Sequence, residues 1–134
     1  MLFSQTGEYA LRIMACLATT SPDTPVGARN LSEETGIPIH YLSKIMRRLV
    51  LAGVLTSQKG KGGGFSLARP RDQIRFAEVL EAVDAYPEAG RCAFGWGACN
   101  AAVPCPLHES WSQLSGSVRD WALSTTLADV SNGS

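Results

Sequence analysis

The fold of this chain is decided by residues 39–67, IHYLSKIMRRLVLAGVLTSQKGKGGGFSL. Apolar residues in its first half recur at the i, i+3, i+4 and i+7 spacing of an amphipathic helix, which we predict over about residues 39–52. They are Leu42, Ile45, Met46 and Leu49. Residues 54–58 and 65–67 then have the composition of two short strands, and the glycine-rich segment between them suits a hairpin tip. The stretch therefore predicts a helix followed by a β-hairpin, which we call the wing (residues 54–68).

Two further helices are predicted upstream. An apolar stripe indicates an amphipathic helix over roughly residues 4–19. Its members are Tyr9, Ala10, Ile13, Met14 and Leu17. A shorter helix over about residues 28–35 is closed by Gly36, which can adopt the left-handed backbone of a helix stop, and Ile37-Pro38 makes the turn that follows. Two short helices joined by a tight turn are typical of a helix-turn-helix, whose second helix enters the major groove of DNA.

The net charge of the chain is zero, but the charges are segregated. Residues 40–75 contain eight lysines and arginines against one acidic residue, whereas residues 76–134 have a net charge of −5. A local excess of +7 favours a polyanionic partner, and we predict that double-stranded DNA contacts this segment. The predicted DNA-contacting residues are His40, Tyr41, Ser43, Lys44 and Arg47 on the helix and Lys59, Lys61, Gly62 and Gly63 on the wing.

A short amphipathic helix is expected to close the DNA-binding domain, which we predict over residues 1–84. Its apolar positions are Phe76, Val79, Leu80 and Val83. Glycine, proline and alanine dominate residues 85–106, a composition that provides no core of its own. This segment contains most of the cysteines.

A long C-terminal helix and terminal segment are expected over residues 106–130, because Pro106 suits the first position of a helix. Apolar residues recur there at alternating spacings of four and three. They are Leu107, Trp111, Leu114, Val118 and Trp121. This seam favours a dimerisation helix over one packed on its own domain. The predicted fold class is mainly α: a winged helix-turn-helix with a small β-hairpin wing, plus a long C-terminal dimerisation helix.

Three cysteines and a histidine crowd into the pattern Cys92-x6-Cys99-x5-Cys105-x2-His108. Cys105 falls at the expected start of the C-terminal helix, where the helix dipole stabilises a thiolate, and His108 follows one turn later. Soft thiolate ligands suit zinc or an iron–sulfur cluster and exclude Ca²⁺ and Mg²⁺. The long gaps slightly favour a cluster over structural zinc, which commonly uses gaps of two to four residues. Cys16, within the first helix, is interpreted as a small buried side chain and not as a ligand.

The sequence argues against several other classes of protein. It has no basic segment followed by an apolar core at the N-terminus and no apolar run near the roughly 18 residues that span a bilayer, so we expect a cytoplasmic protein with no membrane partner. Without an export signal, clustered cysteines are expected to be ligands more often than disulfides. A thiol enzyme that used Cys105 with His108 as its base would lack an evident oxyanion loop, so we expect no enzymatic activity.

Five segments, in this order, resemble the IscR/NsrR/RirA-type winged-helix regulators of bacteria, the Rrf2 family. They are residues 4–10, 36–45 and 59–67, the cysteine segment at 92–108, and residues 126–129. The resemblance runs over nearly the whole chain. It implies a transcription regulator that binds a palindromic operator as a homodimer, and whose iron–sulfur cluster controls DNA binding in response to redox state, nitric oxide or iron supply.

The resemblance leaves the fourth ligand of the cluster open. Regulators of the IscR kind have a histidine at the position of His108 and hold a [2Fe-2S] cluster, which favours the ligand set Cys92, Cys99, Cys105 and His108. Regulators of the NsrR kind instead take an N-terminal carboxylate from the partner subunit, a place that Glu8 occupies here, and a [4Fe-4S] cluster is then possible. The first gap is six residues, where IscR has five. The alternative function is a DNA-binding regulator without a cluster, whose cysteines bind zinc or sense oxidants.

Overall fold

A computed structural model describes residues 3–19, 24–86 and 108–132 of the chain. The helices are α1 (Gln5–Ala18), α2 (Ala28–Thr35), α3 (Ile39–Leu51), α4 (Phe76–Ala82), α5 (His108–Ser124) and α6 (Leu127–Asn132). The strands are β1 (Leu55–Gln58) and β2 (Gly64–Leu67), and a short 3-10 turn at Arg71–Gln73 precedes α4. Three of the helices follow the sequence expectation to within a residue at each end.

Local residues define the ends of the first three helices. The Ser4 hydroxyl accepts a hydrogen bond of 3.2 Å from the amide of Gly7, which caps the N-terminus of α1. Gly36, with φ of 76°, ends α2 in the left-handed conformation predicted for it. Extended backbone at Pro38 then starts α3. These signals act within a few residues, which is why the sequence alone locates the helix-turn-helix.

The core lies where α1 packs against α2, α3, α4 and α6. The predicted apolar stripes of α1 and α3 face into it, although Tyr9 is only partly buried. The largest fully buried side chains include Ile13, Met14, Leu31, Leu42, Met46 and Leu49. One face of α3 therefore packs against the core, and the opposite face is exposed to solvent.

The wing is an antiparallel pair in which Leu55 lies opposite Leu67 and Gln58 lies opposite Gly64. Phe65 also pairs with Val26, because the two residues exchange backbone hydrogen bonds of 3.0 and 2.8 Å. A Cβ atom at Gly64 would lie 2.6 Å from the carbonyl oxygen of Val26, and φ there is 147°. Glycine is thus required at this position to let β2 approach the segment before α2.

The C-terminal segment packs back on residues 1–84, whereas the sequence predicted that a short helix ending near residue 84 closes this part of the chain. The amide of Phe76 donates to the carbonyl of Thr125 at 2.9 Å, and the amide of Leu127 donates to the carbonyl of Ile74 at 3.1 Å. This pairing lies between α5 and α6, within the range of residues 106–130 for which a long helix and a terminal segment were predicted. Leu127 is fully buried in the same core as α1 and α3. This distant segment thus provides hydrogen-bond partners for the backbone groups at the start of α4.

The two ends of α5 have different surroundings. Trp121 packs edge-on against Phe76, with ring centroids 5.2 Å apart, and also stacks on Phe3 at 6.1 Å. Its neighbour Ala122 is fully buried. Leu114, about two turns before Trp121, is 51% exposed. Trp121 therefore packs at least partly on its own domain, which is the alternative to a dimerisation helix considered for this apolar seam. Leu107, the first residue of the seam, lies outside the described residues.

Within the described parts of the chain, no helix combines the length and the apolar character needed to cross a membrane.

Candidate nucleic-acid interface and cysteine segment

The outward face of α3 presents the five residues of this helix that are predicted to contact DNA. Each of them is exposed: His40, Tyr41, Ser43, Lys44 and Arg47. The rings of His40 and Tyr41 lie 4.2 Å apart at the N-terminal end of the helix. The N-terminal residues of a recognition helix are those that reach base edges in the major groove. The face thus combines cations, a hydroxyl and two rings on a rigid helix whose opposite side is fully packed.

The wing tip is a defined turn, not the merely flexible loop that its glycines suggest. The amide of Gly63 donates to the carbonyl of Gly60 at 3.0 Å, and Gly60 and Gly62 both have positive φ. Lys59 and Lys61 are exposed on this turn. Because a side chain at Gly63 would collide with the backbone of Gln58, the glycines allow the chain to reverse tightly while holding the two cations outward.

The cations of this surface have no acidic partners among the described residues. Two ion pairs are found there: Arg48 with Asp84 at 2.7 Å, and Arg69 with Glu78 at 3.0 Å. Neither involves Lys44, Arg47, Lys59 or Lys61. Unpaired cations on one surface raise the local positive potential that attracts a polyanion.

The Arg48–Asp84 pair links α3 to the end of α4, a contact that the sequence analysis did not find. Asp84 has φ of 56°, and the next amide, that of Ala85, donates to the carbonyl of Leu80 at 2.8 Å, so Asp84 takes the left-handed position that closes the helix. Asp84 lies eight residues before Cys92. Charge alone gave no signal for this pairing, since Arg48 belongs to the same basic run as the residues predicted to contact DNA.

The predicted cluster ligands are only partly within reach of the structure. Cys92, Cys99 and Cys105 lie outside the described residues, and His108 is the first residue of α5. Glu8, the rival ligand, is half-buried in the first turn of α1. Residues 3–19, 24–86 and 108–132 contain no group of three or more histidine, cysteine or acidic side chains that could bind a metal ion. The donor set of three thiolates and one imidazole fits an iron–sulfur cluster by its chemistry.

Cys16 is less buried than the sequence analysis expected. It lies at the edge of the core, and its thiol donates a hydrogen bond of 3.0 Å to Oε2 of Glu34. Partial burial raises the pKa of the Cys16 thiol to about 11, with further contributions from the hydrogen bond to Glu34 and from the negative charge of that carboxylate. A raised pKa favours the protonated thiol, and the polar contact with Glu34 contributes to it beside apolar packing. That Cys16 is not a metal ligand stays a prediction.

We expect Cys16 to be alkylated slowly, because only the thiolate reacts. At pH 8 the rate with N-ethylmaleimide, followed at Cys16 by mass spectrometry, should be roughly 10- to 100-fold below that of an unstructured peptide thiol. Glu34→Gln should accelerate it, since the substitution removes the negative charge that opposes ionisation. Glu33→Gln, at the neighbouring exposed position, serves as the control and should change nothing. Equal rates in the wild type and the peptide would contradict the assigned contact.

The chain is similar in sequence to known transcriptional regulators. The family model described as "Rrf2: Iron-dependent Transcriptional regulator" matches residues 3–133. The HTH-type transcriptional regulator IscR of Cronobacter sakazakii is 34% identical over 132 residues, which cover 98% of this chain and 81% of the relative. IscR of Escherichia coli is 33% identical over 132 residues, which again cover 98% of this chain and 81% of the relative.

Solved structures agree on the fold. CymR, the global cysteine regulator of B. subtilis, has a TM-score of 0.82 at 23% identity. The match covers 98% of this chain and 96% of the CymR chain. T. potens IscR has a TM-score of 0.77 at 24% identity and covers 97% and 85%. An oxidized form of Staphylococcus aureus CymR has a TM-score of 0.74 at 23% identity and covers 96% and 94%. The predicted winged-helix fold class and the resemblance seen in the sequence are confirmed, and the chain belongs to the Rrf2 family of transcriptional regulators.

Proposed function

We propose that this protein binds operator DNA as a homodimer and that an iron–sulfur cluster held by its cysteine segment controls the binding. The observation that carries the DNA-binding part is the unpaired cationic surface formed jointly by α3 and the wing. Arg47 of α3 and Lys59, the residue after β1, line one cleft, so helix and wing form a continuous surface. A recognition helix beside a basic wing is the arrangement that engages adjacent grooves of a duplex.

In this proposal α3 enters the major groove and the wing contacts phosphates or minor-groove edges. His40, Tyr41, Ser43 and Lys44 face the bases from the first half of α3, with Arg47 one turn further. Lys59 and Lys61 supply charge, and Gly62 and Gly63 allow the backbone to approach the DNA closely. Phosphate contacts determine affinity and its salt dependence, whereas base contacts determine sequence preference.

The exposed apolar residues of α5 support the dimer. Leu114 is 51% exposed, and Trp121 retains 44% exposure despite its contacts with Phe76 and Phe3. An apolar seam of this kind, formed with Leu107, Trp111 and Val118, is buried when two copies pair about a two-fold axis. Two-fold pairing would space the two recognition helices about 34 Å apart, one turn of DNA, and require a palindromic operator.

The cysteine segment supports the regulatory part. Cys92, Cys99, Cys105 and His108 would hold the cluster, with Glu8 of the partner subunit as the alternative fourth ligand. The cluster supplies a redox- and ligand-sensitive centre, and the protein contributes soft ligands from a segment that joins the winged body to α5. The description of the family as iron-dependent supports an iron-containing centre. The histidine at position 108, where the sequence resembles regulators of the IscR kind, is the reason to propose a [2Fe-2S] cluster ahead of [4Fe-4S].

A thiol-based regulator without a cluster is the second candidate. CymR shares the fold, and one of its solved structures is an oxidized form. Cys92, Cys99 and Cys105 would then bind zinc or form disulfides on oxidation. An anaerobically purified protein that is colourless and contains stoichiometric zinc would favour this candidate, whereas a red-brown protein containing iron and sulfide would favour the cluster.

Single replacements of Lys59 and Lys61 by alanine test the DNA-binding surface. Each should weaken binding to every duplex alike and lower the slope of log affinity against log salt by about 0.9, because each removes one phosphate contact. Fluorescence anisotropy over a salt series measures both quantities. Arg71→Ala, in the turn that packs on α6, is the control and should leave the slope unchanged. If neither lysine variant alters affinity or slope, the wing does not contact DNA.

A further inference from the structure

A cleft of about 360 Å³ separates α3 from the wing. Its helix wall includes Arg47, Val50 and Leu51, and its hairpin wall includes Lys59 and Phe65. The lining is mostly apolar, and Arg47 and Lys59 are the two cations among its residues. Neither the sequence patterns nor the proposed contacts of α3 and the wing tip account for the apolar part.

Leu51 is the most unusual residue of this cleft. It is the last residue of α3 and is 78% exposed, whereas Leu49, two residues earlier, is fully buried. It is the most exposed of the large apolar side chains in the described parts of the chain. An exposed leucine that borders an apolar cleft indicates a surface that binds something.

The two cations of the lining indicate what kind of molecule the cleft binds. No carboxylate lies within ion-pair distance of Arg47 or Lys59 among the described residues. An occupant that offers negative charges to the two cations and an apolar surface to Leu51 and Phe65 would fit this lining. A deoxyribose flanked by two phosphates has this alternation, and it repeats along every strand of DNA.

Position supports the same occupant. The exposed face of α3 lies on one side of the cleft, and Lys59 begins the wing tip on the other. The strand that separates a major groove from its neighbouring minor groove must cross between a helix in the first and a wing at the second. We propose that this cleft grips the sugar–phosphate backbone of one DNA strand, with deoxyribose against Leu51 and Phe65 and the flanking phosphates at Arg47 and Lys59.

This inference rests on the proposed DNA binding and adds an apolar contact to it. An apolar contact contributes affinity that does not depend on salt, whereas a phosphate contact contributes affinity that falls as salt rises. The two kinds of contact can therefore be separated within a single cleft. Leu51 should behave differently from both cations that flank it.

The experiment compares Leu51→Ser, Leu51→Met, Arg47→Ala and the wild type on an operator duplex and on an unrelated duplex, by fluorescence anisotropy over a salt series. Leu51→Ser should weaken binding to both duplexes by about 5- to 20-fold, the scale expected from burying most of a leucine side chain. Its salt slope should equal that of the wild type. Leu51→Met keeps an apolar surface of similar volume and should bind like the wild type. Arg47→Ala should lower the slope by about 0.9.

Thermal unfolding of each variant, followed by circular dichroism, verifies that Leu51→Ser is folded, as expected for such an exposed position. Wild-type affinity in Leu51→Ser would overturn the cleft proposal and leave DNA binding intact. A changed oligomeric state of Leu51→Ser in sedimentation, with DNA affinity unchanged, would overturn it in favour of a contact with a second copy. Failure of the wild type to bind any duplex would instead remove the proposed function, and the cleft proposal with it.

Discussion

Replacing Cys92, Cys99 or Cys105 by serine is expected to leave the protein without a stable iron–sulfur cluster. Each substitution exchanges a soft thiolate for a hydroxyl that binds iron poorly, so a cluster with four ligand positions loses one of its strongest. The visible absorption of the anaerobic protein and its iron and sulfide content should fall nearly to background. Cys16→Ser is the matched control and should retain the cluster, because the thiol of Cys16 is protonated and hydrogen-bonded to Glu34. Full iron content in all three variants would contradict the ligand assignment.

The fourth ligand is tested by His108→Ala and Glu8→Ala. We expect His108→Ala to change the absorption and Mössbauer spectra, because a residue one helical turn after Cys105 needs no subunit crossing to reach the same centre. Glu109→Ala, at the next and exposed position of α5, is the control. Spectra that are unchanged in His108→Ala but altered in Glu8→Ala would overturn this choice, and would indicate a ligand donated across the dimer interface. A [4Fe-4S] signature in the wild type would point to a regulator of the NsrR kind.

Leu127→Ala is expected to destabilise the fold by about 2–5 kcal/mol, the range for removing a fully buried leucine side chain. Leu127 is fully buried and joins α6 to the core formed by α1 and α3. The free energy of unfolding is measured by urea denaturation at one fixed protein concentration, because a dimer gains apparent stability with concentration. Leu123→Ala, at a position that is 48% exposed, is the matched control and should cost far less. Equal losses in the two variants would show that α6 does not belong to the core.

The helix-turn-helix could be predicted because its determinants are local. The apolar spacing of α3 and the left-handed stop at Gly36 act within a few residues, and both agree with the structure. The return of residues 125–127 to residues 74–76 could not be predicted, since it pairs backbone groups some fifty residues apart and leaves no pattern in either segment. The pairing of Val26 with Phe65 was missed for the same reason.

The candidate DNA surface was predictable in its residues but not in its shape. Periodicity and charge identified which side chains of α3 face outward, because a helix with one buried face must expose the other. Periodicity also places Leu51 on the outward face, one turn after Arg47, but it gave no indication of the cleft that Leu51 lines between α3 and the wing. The ion pair of Arg48 with Asp84 was hidden within the basic run. Both features depend on how the hairpin and α4 pack beside α3.

The most direct test of the account is a footprinting titration that compares the cluster-containing and cluster-free protein on operators selected from genomic DNA fragments. The cysteine segment connects the winged body to α5, so loss of the cluster should alter the spacing of the two recognition helices. We expect the two forms either to differ in affinity for DNA by about 5-fold or more or to protect different sequences. A roughly 5-fold difference is the lower end of typical coupling between two sites. Cys105→Ser should behave as the cluster-free form whether or not iron is supplied. Identical affinity and identical site preference in the two forms would contradict cluster control and leave only a DNA-binding protein.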